Sequence, residues 1–226
     1  MRWETLATHW PLLAEGAVTT LWLTCATIVL GFVIALPVAL ARDAGHPAPR
    51  LFAAGFVFAF RGAPLLALLF MIYFGAPEIP LIRQTWAWAL FRDPIPCAIA
   101  ALSLNSAGYL AEVIAGALRA VPKGQVEAGK ALGLTPRQVF RFIKVPNALR
   151  AGIRNYGNEL VFILKGTSVA SLVTVMDVMA AANQIYFNTF DLWTPMLAAA
   201  CVYLAIIGVI GLVVRRVERR FRVPCA

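Results

Sequence analysis

Long apolar runs separated by short polar turns set the rhythm of this chain. The first runs from Ala17 to Ala41, with Gly31 and Pro37 inside it, and ends in RDAGHPAPR over residues 42–50. The second, Leu51 to Gly75, is interrupted by Arg61-Gly62-Ala63-Pro64. Proline there breaks the helical ladder, and an arginine in mid-span needs a partner or water, so a kink is expected. A third begins near Cys97 and continues to Val121, with Asn105, Tyr109 and Glu112 near one helical face. The fourth, Leu149 to about Thr174, carries Asn155, Asn158, Glu159 and Lys165, too polar a set for a lipid-facing helix. Pro195 to Val214 is a clean fifth. Each is long enough to cross a hydrocarbon core of roughly 30 Å at about 1.5 Å per residue, so the pattern predicts five transmembrane helices. Between them, Ala76 to Pro96 reads as an interfacial loop with Trp86 and Trp88 at headgroup level, and Asp177 to Thr194 as a loop of mixed polarity.

Only residues 122–146, PKGQVEAGKALGLTPRQVFRFIKVP, alternate charge and apolar residues with a helical period over a long stretch. Pro122-Lys123-Gly124 supplies a turn, Gln125 to Leu132 about two helical turns, and Gly133 the left-handed position that ends a helix. A second helix is announced by Thr135 as N-cap, Pro136 at the first position and Gln138 completing a capping box, with Leu134 and Val139 placed to form a hydrophobic staple. On its own this could be an amphipathic hairpin lying on an anionic leaflet. The stretch GQVEAGKA, 124–131, imitates a phosphate-binding loop, but Ala131 stands where Ser or Thr would hold magnesium and no strand precedes it, so nucleotide binding by this chain is set aside.

Composition places the chain firmly in the membrane: of 226 residues, 61% are hydrophobic and 14% charged, with a mean hydropathy of +0.77. The expected fold is an all-α polytopic membrane protein, a single domain over 1–226 without repeats. A net charge of +9 would suggest nucleic acid for a soluble domain. Here topology explains it, and no nucleic-acid partner is expected, because Lys and Arg concentrate in cytoplasmic loops. Arg119 to Arg154 holds eight Lys or Arg against one acid, and Arg215 to Arg222 five arginines against one glutamate. Both segments are therefore expected in the cytoplasm, with the N-terminus outside. Glu4 and Glu15 leave no basic region ahead of a short apolar run, so no removable signal peptide is expected. Cys25, Cys97, Cys201 and Cys225 show no paired spacing, so neither metal nor disulfide framework is indicated.

An ionisable residue inside a span costs about 2.5–3.5 kcal/mol even on lenient scales and marks a site unless it is neutralised. Arg61, Glu112, Glu159 and Lys165 are the candidates, and mutual pairing is the plain explanation for Arg61 and Lys165. Glu159 sits beside Asn155 and Asn158, with Thr167 and Ser168 two turns later. These residues could form a mid-membrane cavity offering a carboxylate to a substrate ammonium or guanidinium, with amide and hydroxyl groups for its carboxylate. Asn105, Tyr109 and Glu112 are the expected opposing wall. The candidate substrate-binding set is thus Asn105, Tyr109, Glu112, Asn158, Glu159, Thr167 and Ser168.

Glu127-Ala128-Gly129, Gly133 four residues on, and Ile143-Lys144-Val145-Pro146 resemble the cytoplasmic signature loop of ATP-binding-cassette importer permeases, Glu-Ala-Ala, three residues, Gly, nine residues, Ile, one residue, Leu, Pro. All the spacings hold, with Gly129 in place of the second Ala and Val145 in place of Leu. RGAPLL at 61–66, LNSAGYLAEVIAGAL at 104–118, VPKGQ at 121–125, and GNEL with LKGTS within 157–168 extend the resemblance, in order, to the polar amino-acid branch, about two thirds of the chain in all. The resemblance implies a type I importer permease fold whose loop, about 121–146, supplies a coupling helix, with Glu127, Ala128, Gly129, Gly133 and Pro146 as coupling residues. Implied partners are two ATPase subunits carrying ATP and Mg, a second permease subunit (a paralogue in preference to a second copy), an extracellular or periplasmic binding protein, and the bacterial plasma (inner) membrane. No cofactor on this chain and no enzymatic activity of its own are implied. Implied substrates are polar or basic amino acids, such as histidine, lysine, arginine and ornithine, or opines. A secondary transporter using Glu112 and Glu159 as ion sites fits poorly, because no internal duplication is present. An intramembrane enzyme fits worse, since His9 and His46 lie near polar ends far from any paired Asp or Ser in a span.

Overall fold

In the computed structural model, which describes residues 3–221, α1 (Trp3–Arg42) begins well ahead of the expected Ala17. Its first part carries Glu4, His9 and Glu15, yet Leu13 buries there against Ala181, Ile185 and Ala198, flanked by the half-buried Leu6 and Leu12. His46 caps α2 (Pro47–Gly62) by accepting from the Ala48 amide at 3.3 Å, and proline occupies the first helical position. The interruption at Arg61–Pro64 is sharper than a kink: α2 and α3 (Leu65–Gly75) meet at 97°. Residues 76–93 form short helical turns, including α4 (Pro80–Arg83) and α5 (Trp88–Phe91), in place of a loop without structure.

α6 (Pro94–Arg119) starts on the Asp93 cap, whose Oδ1 accepts from Ile95 N at 2.9 Å. It is the central post of the bundle. Ala107, Leu110, Ala111 and Ala115 pack there against Ala35, Val38 and Ala39 of α1 and Ala53 and Val57 of α2. Lower down the same helix, Ala98 and Ala101 meet Leu23, Leu68, Leu69, Ala170 and Val173. Small side chains let the backbones close in where lipid gives no hydrophobic drive between helices.

α7 (Lys123–Ala131) and α8 (Pro136–Val139) form the charged hairpin. A π-helical turn over Phe140–Lys144 then leads without a break into α9 (Val145–Thr167). The second helix of the hairpin is therefore the start of the fourth span, where the sequence reading separates them at Pro146 and Leu149. The π turn precedes Pro146, a residue that cannot donate to the i−4 carbonyl, so the change of register falls where the ladder must already be interrupted. A 3₁₀ turn, Ser168–Val173, follows α9.

The expected loop at 177–194 is mostly helix: α10 (Val178–Thr189) is capped by Asp177, which accepts from Ala180 N at 2.8 Å. Val178, Ala181, Ala182 and Ile185 are its buried stripe, at helical spacing hidden by the mixed polarity between them. α11 (Trp193–Phe221) extends past Val214 into the arginine-rich tail. Among the described residues, three helices are long and apolar enough to cross a membrane, and two bent pairs complete five spans when each pair is one crossing.

Candidate functional site

The break between α2 and α3 opens a cavity of ≈510 Å³ against α6 and α9. Arg61 and Pro64 come from the break, Asn105, Ser106 and Tyr109 from α6, and Glu159 and Lys165 from α9. A helix end leaves its last carbonyls without partners. Asn105 Nδ2 donates to Phe60 O at 2.8 Å and Tyr109 OH to Arg61 O at 3.3 Å, so two polar residues of α6 satisfy the end of α2. Gly108, between them, allows the approach: a Cβ there would stand 3.1 Å from Arg61 N. The Arg61 guanidinium lies 5.2 Å from the centre of the Tyr109 ring, a cation–π arrangement that fixes it at the cavity wall. Glu159 is only 8% exposed and lines the same cavity as Arg61. Carboxylate, guanidinium and ammonium thus line one partly open cavity, which suits a ligand carrying both signs of charge.

The hairpin forms a second candidate surface. Gly133 has φ +82°, as a left-handed helix terminator does. At Thr135, the Gln138 side chain accepts from the Thr135 amide at 2.8 Å while Thr135 Oγ1 accepts from Gln138 N at 3.4 Å, completing the capping box. The phosphate-loop imitation, 124–131, lies within α7, whose backbone amides after the first turn are spent on the helix. Gly129 is buried, whereas Glu127, Ala128 and Gly133 are exposed. Asn147 Nδ2 ties the hairpin back to α9 by donating to Gln125 Oε1 at 3.0 Å.

Residues 28–223 match the family of binding-protein-dependent transport system inner membrane components. The chain belongs to this family. Among its relatives, the nopaline transport system permease protein NocM of Agrobacterium fabrum is 37% identical over 92% of this chain and 87% of its own. The histidine/lysine/arginine/ornithine transport system permease protein HisM of Salmonella typhimurium is 35% identical, over 91% and 88%. A crystal structure of an amino acid ABC transporter with histidines superposes with a TM-score of 0.87 at 26% identity, covering 97% of this chain and 99% of that one. The expected type I importer permease fold, multi-pass in the inner membrane, is therefore the one observed.

The permease brings together only part of the residue set read from sequence. Asn105, Tyr109 and Glu159 line the cavity. Glu112 does not, although it shares their face: it pairs with Arg42 at 2.6 Å and Arg119 at 3.0 Å near the ends of α1 and α6. Asn158 is exposed away from the lining. Thr167 is buried and donates to Leu164 O at 2.7 Å, and Ser168 donates to Lys165 O at 2.7 Å. Sequence reasoning underrated Arg61 and Ser106 as cavity residues, and missed Asp177 altogether. Asp177 is fully buried and accepts from Tyr203 OH at 2.9 Å, while Thr20 Oγ1 accepts from Val178 N at 3.2 Å. An acid directly before an apolar helical run is an N-cap signal, and it was the signal available.

Proposed function

We propose that the permease carries a polar or basic amino acid or an opine, and that Glu159 and Arg61 hold the two charges of the migrating zwitterion. The buried Glu159 carboxylate lining the same cavity as the Arg61 guanidinium is the observation that carries this reading. Glu159 takes the substrate ammonium or guanidinium, Arg61 and Lys165 its carboxylate, with the Asn105 amide and Tyr109 ring shaping the wall. The names of NocM and HisM favour the same substrate classes.

In this reading two ATPase subunits bind ATP and Mg and dock at α7, using Glu127 and Ala128. Gly129, Gly133 and Pro146 set the shape of the hairpin, and no ATP is hydrolysed by this chain. A second permease subunit, a paralogue in preference to a second copy, completes the pathway, and a substrate-binding protein delivers from outside. The basic hairpin and arginine tail lie in the cytoplasm, with the N-terminus outside, as positive loops require. A capped helix joined to a span through a continuous backbone moves as a rigid arm, which is what coupling ATPase closure to alternating access requires.

Uptake into proteoliposomes by the assembled complex tests the substrate assignment. Glu159→Gln is expected to lower uptake of a cationic amino acid by about tenfold or more, the equivalent of about 1.4 kcal/mol, with subunit stoichiometry by mass unchanged. Unchanged uptake would return Glu159 to a packing role. Glu127→Lys is expected to lose the ATPase partner or uncouple its hydrolysis, and retention of full coupling would remove α7 as the docking element.

A further inference from the structure

Away from the substrate cavity, a second cavity of ≈690 Å³ lies where the end of α1, the start of α2 and the end of α6 converge. Arg42, Arg50 and Arg119 line it together with Pro47, Ala48, Leu51 and Ala54. Glu112 offsets part of this charge through its pairs with Arg42 and Arg119, leaving three guanidiniums facing one carboxylate. Among the described residues, Arg42 Nε is buried without an acceptor. The mouth is thus electropositive and short of anions.

From that mouth a shallow apolar trough continues along one face of α2 alone, sharing Ala48 and Leu51 and passing Phe52, Gly55, Phe56, Ala59 and Phe60. Gly55 forms its floor, where an added Cβ would meet nothing within 4 Å. Phe52, 72% exposed, stands at its rim. Ala48 to Phe60 spans about 18 Å at about 1.5 Å per residue, close to half of a hydrocarbon core of roughly 30 Å. A cationic mouth opening onto an apolar trough one leaflet deep is complementary to an amphiphile with an anionic head. Basic pockets between membrane helices hold anionic headgroups by the same electrostatics.

We propose that this surface binds one anionic phospholipid, its phosphate among Arg42, Arg50 and Arg119 and one acyl chain along the Ala48–Phe60 face of α2. Because α2 ends at Arg61 and Gly62, the lipid would brace the helix that frames the substrate cavity.

The test uses the permease extracted with its partner subunits in mild detergent, stripped of lipid and re-equilibrated with equal phosphatidylglycerol and phosphatidylcholine. Native mass spectrometry then counts lipids retained on the permease. Phosphatidylglycerol is expected to be retained selectively at one per chain. Arg50→Gln, which leaves the Glu112 pairs in place, is expected to reduce retention about fivefold, and Gly55→Trp to abolish it by filling the trough. Millimolar inorganic phosphate should not displace the lipid; displacement would mean a free-anion site and overturn the proposal. Equal retention of both lipids, or indifference to both substitutions, would also overturn it. So would loss of the second permease subunit in Gly55→Trp with lipid retention unaltered, which would make the trough a subunit interface. Detergent mixes both leaflets and no transport is read, so the outcome is independent of the membrane orientation and of the substrate assignment.

Discussion

At the residue scale, Gly129 and Gly157 show how the same substitution meets different resistance. A Cβ on Gly129 would collide with Ile143 Cδ1 and sit 3.5 Å from Leu134 Cδ1 and 3.6 Å from Val139 Cγ2. Gly129, where the signature has Ala, leaves that space to Ile143. Cδ1 is the free end of a flexible side chain and can swing away. Alanine also improves helix propensity by about 1 kcal/mol over glycine, against an overpacking cost of about 1–3 kcal/mol. Gly129→Ala is therefore expected to be close to neutral in thermal unfolding of the purified complex. Gly157 faces Val214 of α11, and a Cβ there would collide with Cγ1 and lie 3.2 Å from Cγ2. Valine on a helix has one strongly preferred rotamer and cannot turn aside. Gly157→Ala is expected to destabilise by about 1–2 kcal/mol net of propensity, and Val214→Ala in the same chain to restore much of it. A double-mutant cycle with no coupling would show that α9 and α11 do not rely on this contact.

Elements with strong local punctuation were legible in the sequence, and those defined by distant partners were not. Gly133, the Thr135–Gln138 capping box and the break at Arg61–Pro64 all stand where backbone chemistry places them. Cap deletion is a direct check: Thr135→Ala is expected to cost about 1 kcal/mol. It should speed hydrogen exchange at the first amides of α8 while leaving α6 unaffected; unchanged exchange would mean that packing of Val139 alone holds the start of the helix. The continuity from α8 through the π turn to α9 was illegible, because proline after a basic stretch reads locally as an end. α10 was lost because Asn183 and Gln184 interrupt its apolar stripe in one dimension though not on the helix surface. Of the face grouped by periodicity, Asn105 and Tyr109 line the cavity. Glu112 stands outside it, and spacing cannot reveal that Arg42, distant in sequence, arrives beside it.

Over the whole molecule, charge pairs tie together parts that the coupling reading requires to move in concert. Glu112 joins the ends of α1 and α6 through Arg42 and Arg119. Lys144 Nζ, in the π turn below the hairpin, reaches Asp43 Oδ2 just after α1 at 3.3 Å. Both partners of that pair are about a third exposed, at 29% and 32%, so its contribution to stability is at most about 1 kcal/mol and salt screens it. Its consequence is geometric: a displacement of the hairpin is passed to α1 as well as along α9. Lys144→Asp is therefore expected to change the melting temperature by only a few degrees while lowering substrate transported per ATP hydrolysed. The effect should shrink at high ionic strength, where the wild-type pair is itself weakened. The swap Asp43→Lys with Lys144→Asp restores opposite charges at the same separation and is expected to recover the ratio. Failure of the swap, with the single variant impaired, would mean that Lys144 acts on a partner subunit and not on α1. A single variant with normal coupling would leave α9 as the sole arm from hairpin to cavity.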